Sequence, residues 1–519
     1  MTVTYQATSI ISSSNSVPIF SMAASDILYV APNTNIVSNG YYAIASSSGA
    51  TGGPTIENAG QIVGYYSAIS ISATNPYPRA TILNEASGFI TSGTGNDAIY
   101  VSGAAHYITN YGTIASAPYG NFAIATYSQG AIWNYGAIIG GIGNDDGNAA
   151  DFVYTYNAGT IGAGSYNGNP STAIAYDGFQ GSTSVEQVVN DGTMNGQVEF
   201  NDGAGDQLFN TGRIYGNVSF GSGVGDSGVN SGLIQGNVFI GSNSGDVFDS
   251  SYGTVTGTIT TGAAGAVVTG GQTGGTIMGG AGNDVLIANQ TQTAANNAAH
   301  ATLYGSGGIN ALYGDGAYTM FMSGDANGGY NQIWGGASQM TGVAGYTNNT
   351  LSFANAPAGV FVDLLNGHDA YVGSTAGGAW AGTGIYEDSI IHVPNVIGSA
   401  FGDVIQADSG IDSITGGGKA DQLYAGSGAA SQDTFVYTGY SDSNTVTGYD
   451  TIVGFKIGAD KIDLSALHTD GSHLAISTAG TSNTLYIEQT AGTFNAATDL
   501  AMIVNTSTAG GLHASDFVF

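Results

Sequence analysis

The run Gly279-Gly-Ala-Gly-Asn-Asp284-Val-Leu-Ile287 places one carboxylate behind a glycine-rich turn and in front of a short apolar strand. Glycines let a turn turn its carbonyls inward, and the aspartate adds an anionic oxygen. That is an all-oxygen ligand set, the chemistry of a hard divalent cation, and calcium is the expected cofactor. The expected ligands are Gly279, Ala281, Asn283 and Asp284. Related runs are Ser92-Gly-Thr-Gly-Asn-Asp97 and Gly140-Gly-Ile-Gly-Asn-Asp145, the latter without an apolar strand anchor. Asp206, Asp226 and Asp246 recur every 20 residues, each after a Gly-rich turn. Asp403, Asp412 and Asp421 recur at nine-residue intervals in eroded copies. Stacked aspartates one strand spacing apart repel one another, so a cation or a raised pKa must relieve the column.

Composition agrees. Of 36 acidic residues 30 are Asp, the short acid that sits well in turns, against only 5 basic residues and a net charge of −31. Arg79, Arg213, Lys419, Lys456 and Lys461 cannot assemble a basic patch, so nucleic acid is excluded as a partner. There is no cysteine, hence no disulfide framework, and no apolar run long enough for a transmembrane helix. Met1 to Asp26 carries no basic residue, so a Sec-type leader is not expected.

The elements that must hold these turns are short strands. The 85 glycines disfavour helices, whereas 42% hydrophobic residues are enough for a core. Asn190-Asp-Gly-Thr-Met, Asn210-Thr-Gly-Arg-Ile and Asn230-Ser-Gly-Leu-Ile repeat with a 20-residue period. The same phrase opens at Asn58, Asn110, Asn134 and Asn157, with a looser copy at Asn84. Between these phrases lie Ala43-Ile44, Ala68-Ile69, Ala98-Ile99, Ala123-Ile124 and Ala173-Ile174. Two or three strands per 20 to 33 residues describe coils of a parallel β-helix, whose neighbours share the core that one coil cannot bury. The asparagines are expected to form an amide ladder, and the glycine two positions later to need a positive φ. From Tyr252 the period becomes nine, with Ile259, Val268 and Ile277 as strand anchors. Residues 305–334 keep that rhythm with Asn310, Thr319 and Asn331 in the aspartate position, which predicts coils that stack without metal. Residues 288–300 read as a loop.

The full match at Asp284 to G-G-x-G-x-D-x-U-x resembles the calcium-binding repeat of RTX proteins. Residues 351–437 are similar to the RTX region of secreted bacterial proteins. Asp433-Thr-Phe-Val, Tyr449-Asp-Thr-Ile-Val-Gly-Phe455 and Gly458-Ala-Asp-Lys-Ile-Asp463 resemble the serralysin C-terminal domain. The ending Ser515-Asp-Phe-Val-Phe519 is similar to that family's type I secretion signal. The expected plan is all-β. Residues 1–251 form a parallel β-helix, with 1–37 as a cap or anchor. Residues 252–432 form an RTX-type β-roll with inserted loops, and 433–519 a sandwich-like secretion domain. The resemblance implies export through a type I secretion apparatus and folding on external calcium, outside a Gram-negative cell.

No H-E-x-x-H is present, and the seven histidines are mostly isolated, so zinc proteolysis is not expected. A β-helix joined to such repeats also resembles alginate epimerases and polysaccharide lyases, which need a base and a cation beside the sugar carboxylate. Arg79 and Arg213 are the only basic residues of the helix, and Arg213 fills a slot that Thr193 and Leu233 take in sister coils. The leading expectation is therefore a structural one. The chain is read as a surface-layer or surface-filament subunit, bound to copies of itself through calcium and to cell-surface polysaccharide or lipopolysaccharide. The alternative is an adhesin or biofilm-matrix protein that binds polysaccharide.

Overall fold

The computed structural model describes the chain outside residues 49–52, 74–78, 95, 118–121, 145–150, 163, 166–172, 180, 182, 272–274, 289–300, 315–318, 324–328, 336–348, 372–387, 430 and 447. Its residues group into two compact units, Met1–Val267 and Val268–Phe519.

In the first unit the coils give short strands to three sheets, and strands of successive coils pair in parallel; Gly164–Ser165 and Ala173–Asp177 form an antiparallel exception. The second sheet, which runs from Ile10–Ser12 to Thr254–Val255, has 11 strands. Its register stacks like on like: Ile36, Ile62, Ile90, Ile114, Ile138 and Ile161 lie in one buried column. The column continues as Met194, Ile214, Ile234 and Val255. β-Branched residues suit the pleated half-buried surface, and full burial of each contributes about 1.5–3 kcal/mol. A one-residue slip would turn every one of them to solvent, which is why the repeat fixes the register.

The asparagines close the corner after the first sheet. Asn58 Nδ2 donates to Asn84 Oδ1 at 2.8 Å, and the same bond joins Asn84 to Asn110, Asn110 to Asn134, Asn134 to Asn157 and Asn157 to Asn190. Asn190 to Asn210 and Asn210 to Asn230 follow at 2.7 Å, and Asn230 ends the run on Ser250 Oγ. Every ladder asparagine is buried. The glycines two positions on depart from the expected backbone. Gly112, Gly136, Gly159, Gly192, Gly212 and Gly232 are absent from the residues with positive φ. A Cβ on any of them would overlap the carbonyl oxygen of the glycine one coil earlier. Space between coils, rather than a left-handed conformation, requires glycine. The Ala-Ile phrases also hold their column except the last: Ile142 pairs with Tyr176, not Ile174.

The second unit is a two-sheet roll. Ile277, Leu303, Phe321, Leu351, Val396, Ile414, Phe435, Ile462 and Phe517 form one buried column. Val362, Ile405, Leu423, Ile452 and Val504 form another in the facing sheet. Phe435 and Phe455 meet between the two layers with ring centroids 6.2 Å apart. The antiparallel strands Leu474–Ala479, Ser482–Ile487 and Leu500–Thr506 finish the second layer.

Candidate metal centre

In the first unit, Glu186, Asp206, Asp226 and Asp246 occupy one inward-facing line of the first sheet, and all four are buried. The backbone amide of Glu186 donates to Asp206 Oδ1 at 2.7 Å. The amide of Asp206 donates to Asp226 Oδ1, and that of Asp226 to Asp246 Oδ1, each at 3.0 Å. One oxygen of each carboxylate is thereby fixed to its neighbour coil. The other, Oδ2 of Asp206, Asp226 and Asp246, is buried and accepts no hydrogen bond. Earlier coils fill this line with Ala80, His106, Gly130 and Val153. His106 is fully buried, and desolvation lowers its pKa to about 4.

Glu186, which sequence spacing did not single out, heads the acidic line. Its Oε1 accepts from Asn144 Nδ2 at 2.6 Å and Tyr176 Oη at 3.0 Å, and its Oε2 from the amide of Asn201 at 3.0 Å. Burial outweighs these donors and pushes its pKa up to about 7.

The second unit carries two such lines. Asp403 donates its amide to Asp421 Oδ1 at 2.7 Å, and Asp421 to Asp450 Oδ1 at 2.9 Å. Asp412 stands in the other sheet's line, with its amide on Asp433 Oδ1 at 3.3 Å, and Asp433 in turn on Asp460 Oδ1 at 3.0 Å. Asp421 Oδ2 and Asp412 Oδ1 are buried without a hydrogen-bond partner. Asp433, Asp450 and Asp460 were not among the expected ligands. They keep the Asp-x-apolar phrase (Asp433-Thr-Phe, Asp450-Thr-Ile, Asp460-Lys-Ile), but unequal turns hide the period. Of the other expected ligands, Asp97 lies at a separate corner with Oδ1 on the amide of Phe122 at 2.9 Å. Asp145 lies outside the described residues.

A local turn recurs around these carboxylates. The amide four residues upstream donates to the aspartate: Gly280 to Asp284, Ser399 to Asp403, Asp408 to Asp412 and Lys456 to Asp460. A Cβ at Gly279, Gly398 or Gly416 would run into the carboxylate oxygen of Asp284, Asp403 or Asp421. None of these three has a positive φ, so here too glycine supplies room.

Burial raises the aspartates far above the ordinary carboxylate value, and neighbouring carboxylates add to it. Asp206 and Asp421 rise to about 9, Asp412 and Asp450 to about 8, and Asp226 and Asp403 to about 6. At neutral pH, without a counter-ion, burial therefore holds Asp206, Asp412, Asp421 and Asp450 largely protonated. Among the described residues no three His, Cys, Asp or Glu side chains converge on a metal position.

Asn310 shows where such carbonyls point. Its Oδ1 accepts the amide of Asp284 at 2.9 Å, as an aspartate does elsewhere. Its Nδ2 donates to the carbonyls of Gly305 at 2.8 Å and Gly307 at 2.9 Å, and to Asn331 Oδ1 at 3.0 Å. Gly305 and Gly307 precede Asn310 as Gly279 and Ala281 precede Asp284. The amide group thus meets the two carbonyls that a cation would otherwise join to the carboxylate. Asn331 then donates to Asp388, and the amide of Thr319 to Asn349 Oδ1 at 2.8 Å. Among the described residues of these coils, side-chain amides of Asn310, Asn331 and Asn349 take the bridging positions. The buried, donor-free carboxylate oxygens of the aspartate coils fit calcium, a hard cation that takes oxygen ligands.

The family model described as peptidase M10 serralysin C terminal matches residues 206–518. The chain belongs to that family. The match starts at the first aspartate of the 20-residue column and takes in all the lines of the second unit. Serralysin C-terminal repeats are the non-catalytic, calcium-binding part of proteins secreted by type I systems. No curated protein matches the chain. No helix among the described residues of this serralysin C-terminal family member is long and apolar enough to cross a membrane.

Proposed function

We propose that the protein is a non-enzymatic structural component of a Gram-negative cell surface, a calcium-dependent surface-layer or filament subunit. The observation that carries the reading is the set of buried aspartate lines, whose unpartnered oxygens suit a cation. Sites that form only in the folded chain turn calcium affinity into folding free energy, so the fold is weakened where calcium is scarce and stabilised outside the cell. Calcium would occupy positions between Asp206, Asp226 and Asp246, at Asp284 with the carbonyls of Gly279, Ala281 and Asn283, and along the Asp403 and Asp412 lines.

Self-assembly is supported by apolar side chains at the surface: Ile139, Val229, Phe239 and Val247 are exposed on the first unit and offer contacts to another copy. Against catalysis, Arg213 stands in line with Thr193 and Leu233 on an exposed face beside a shallow depression, without a histidine or lysine. Electron microscopy with calcium and with excess chelator, alongside circular dichroism, tests the reading. Calcium-dependent sheets or filaments are expected. Folded, dispersed monomers would refute the assembly, and a fold indifferent to chelator would refute the calcium role.

A further inference from the structure

The first sheet of the first unit turns an aromatic surface to solvent. Over three successive coils it sets out Tyr107 and Tyr111, then Trp133 and Tyr135, then Tyr154 and Tyr156. Tyr111 and Tyr135 stack with centroids 5.0 Å apart, and both are more than 40% exposed. Tyr107 and Trp133 are 5.7 Å apart and tilted by 50°, Trp133 and Tyr154 6.1 Å and 54°, and Tyr135 and Tyr156 5.7 Å and 58°. Arg79 lies 4.4 Å from the Tyr107 ring centre, and Tyr156 donates to Asp191 Oδ2 at 2.9 Å.

None of these rings serves the core. The inward residues of the same strands are the ladder asparagines, Ile108, Ile132 and Val153. An exposed aromatic patch of this extent marks a binding surface. Five of the six rings carry a phenolic hydroxyl, so the patch offers apolar faces rimmed by hydrogen-bonding groups. Its rings repeat at the strand spacing of about 4.8 Å along the stack. That suits a ligand that itself repeats, with apolar ring faces and equatorial hydroxyls. Charge narrows the class. Arg79 is the one base at the patch, and Asp191 sits at its edge. A polyanion gains little from a single arginine set against an aspartate. An anionic lipid surface would repel a chain of net charge −31 that offers one arginine at the patch.

We infer that this aromatic platform binds a neutral hexopyranose polysaccharide laid along the coils. The inference rests on the surface-protein reading only in requiring the folded chain to meet glycan outside the cell. The test uses the full chain in calcium, with soluble β-glucan, mannan and galactan as neutral probes and alginate as the anionic comparison. Affinity electrophoresis and Trp133 fluorescence, read in a Trp334→Phe, Trp380→Phe background, report binding. At least one neutral glycan is expected to retard the protein and shift its fluorescence. Tyr111→Ala with Trp133→Ala and Tyr135→Ala should then weaken retardation at least tenfold, with the circular dichroism of the parent. Should that variant misfold, Tyr135→Ala alone, at an exposed position, carries the same comparison. No binding of any neutral probe, binding of alginate only, retention undiminished in the variants, or occlusion of Trp133 by self-association would overturn it. Circular dichroism with and without chelator scores the calcium reading separately, so either can fail alone.

Discussion

Asp206→Asn separates the two roles of the acidic line. In the parent without calcium, burial and the nearby Glu186 carboxylate raise Asp206 to about 9 from 3.8. At pH 7 the folded group keeps its proton while the unfolded group has lost it. Folding stability therefore falls as pH rises from about 4 toward about 9. The roughly three pH units between the ordinary value and neutrality, at about 1.36 kcal/mol each, amount to roughly 4 kcal/mol lost at pH 7. An asparagine keeps the bond from the Glu186 amide through Oδ1, and its Nδ2 can meet the turn carbonyls as Asn310 does. In chelator at pH 7 the variant should melt above the parent, by roughly 8 °C for a unit of this size. In calcium the order should reverse, because one ligand is gone. Paired thermal melts followed by circular dichroism decide it. A variant no more stable than the parent in chelator would show that the line carries no electrostatic cost, and the case for calcium there would fall.

Other expectations follow from the same geometry. In chelator, acidification from pH 8 to pH 5 should raise the melting temperature, since Asp206, Asp412, Asp421 and Asp450 are held protonated by the fold; a flat or falling profile would contradict the raised values. Asn310→Asp should make its coil calcium-responsive: lower stability in chelator, a larger gain on adding calcium, and one more bound ion by equilibrium dialysis. Asn134→Leu strands the donor of Asn110 and the acceptor of Asn157, so chemical denaturation should show a loss of about 2–5 kcal/mol. Gly136→Ala sets a methyl against the Gly112 carbonyl and should destabilise the first unit without altering calcium stoichiometry.

The fold was legible because each coil repeats the same solution. Asn at the corner, Ile in the second sheet and Ala-Ile in the third sit at intervals that only stacked coils explain. Asp206, Asp226 and Asp246 were legible for the same reason, as turns of constant length keep them 20 residues apart. Glu186 was not, because it differs in type from the aspartates and the coil before it is lengthened. Asp433, Asp450 and Asp460 escaped because spacings of 21, 27 and 29 residues to their partners obscure a shared line. The glycines after the ladder were seen, but their reason was not. Backbone angles and the approach of a neighbouring carbonyl leave no trace in a single sequence.

The amide-bridged coils at Asn310 and Asn331 have a kinetic consequence. A stacked-coil protein can begin folding wherever its local pairings are strong enough and then grow by adding neighbours. Every aspartate line is strengthened by its cation, but this segment carries its own donors. It is a described stretch of the roll able to order early when the chain leaves a calcium-poor compartment. Growth from such an internal seed runs both ways along the roll, each newly ordered turn presenting the carbonyls that hold the next ion.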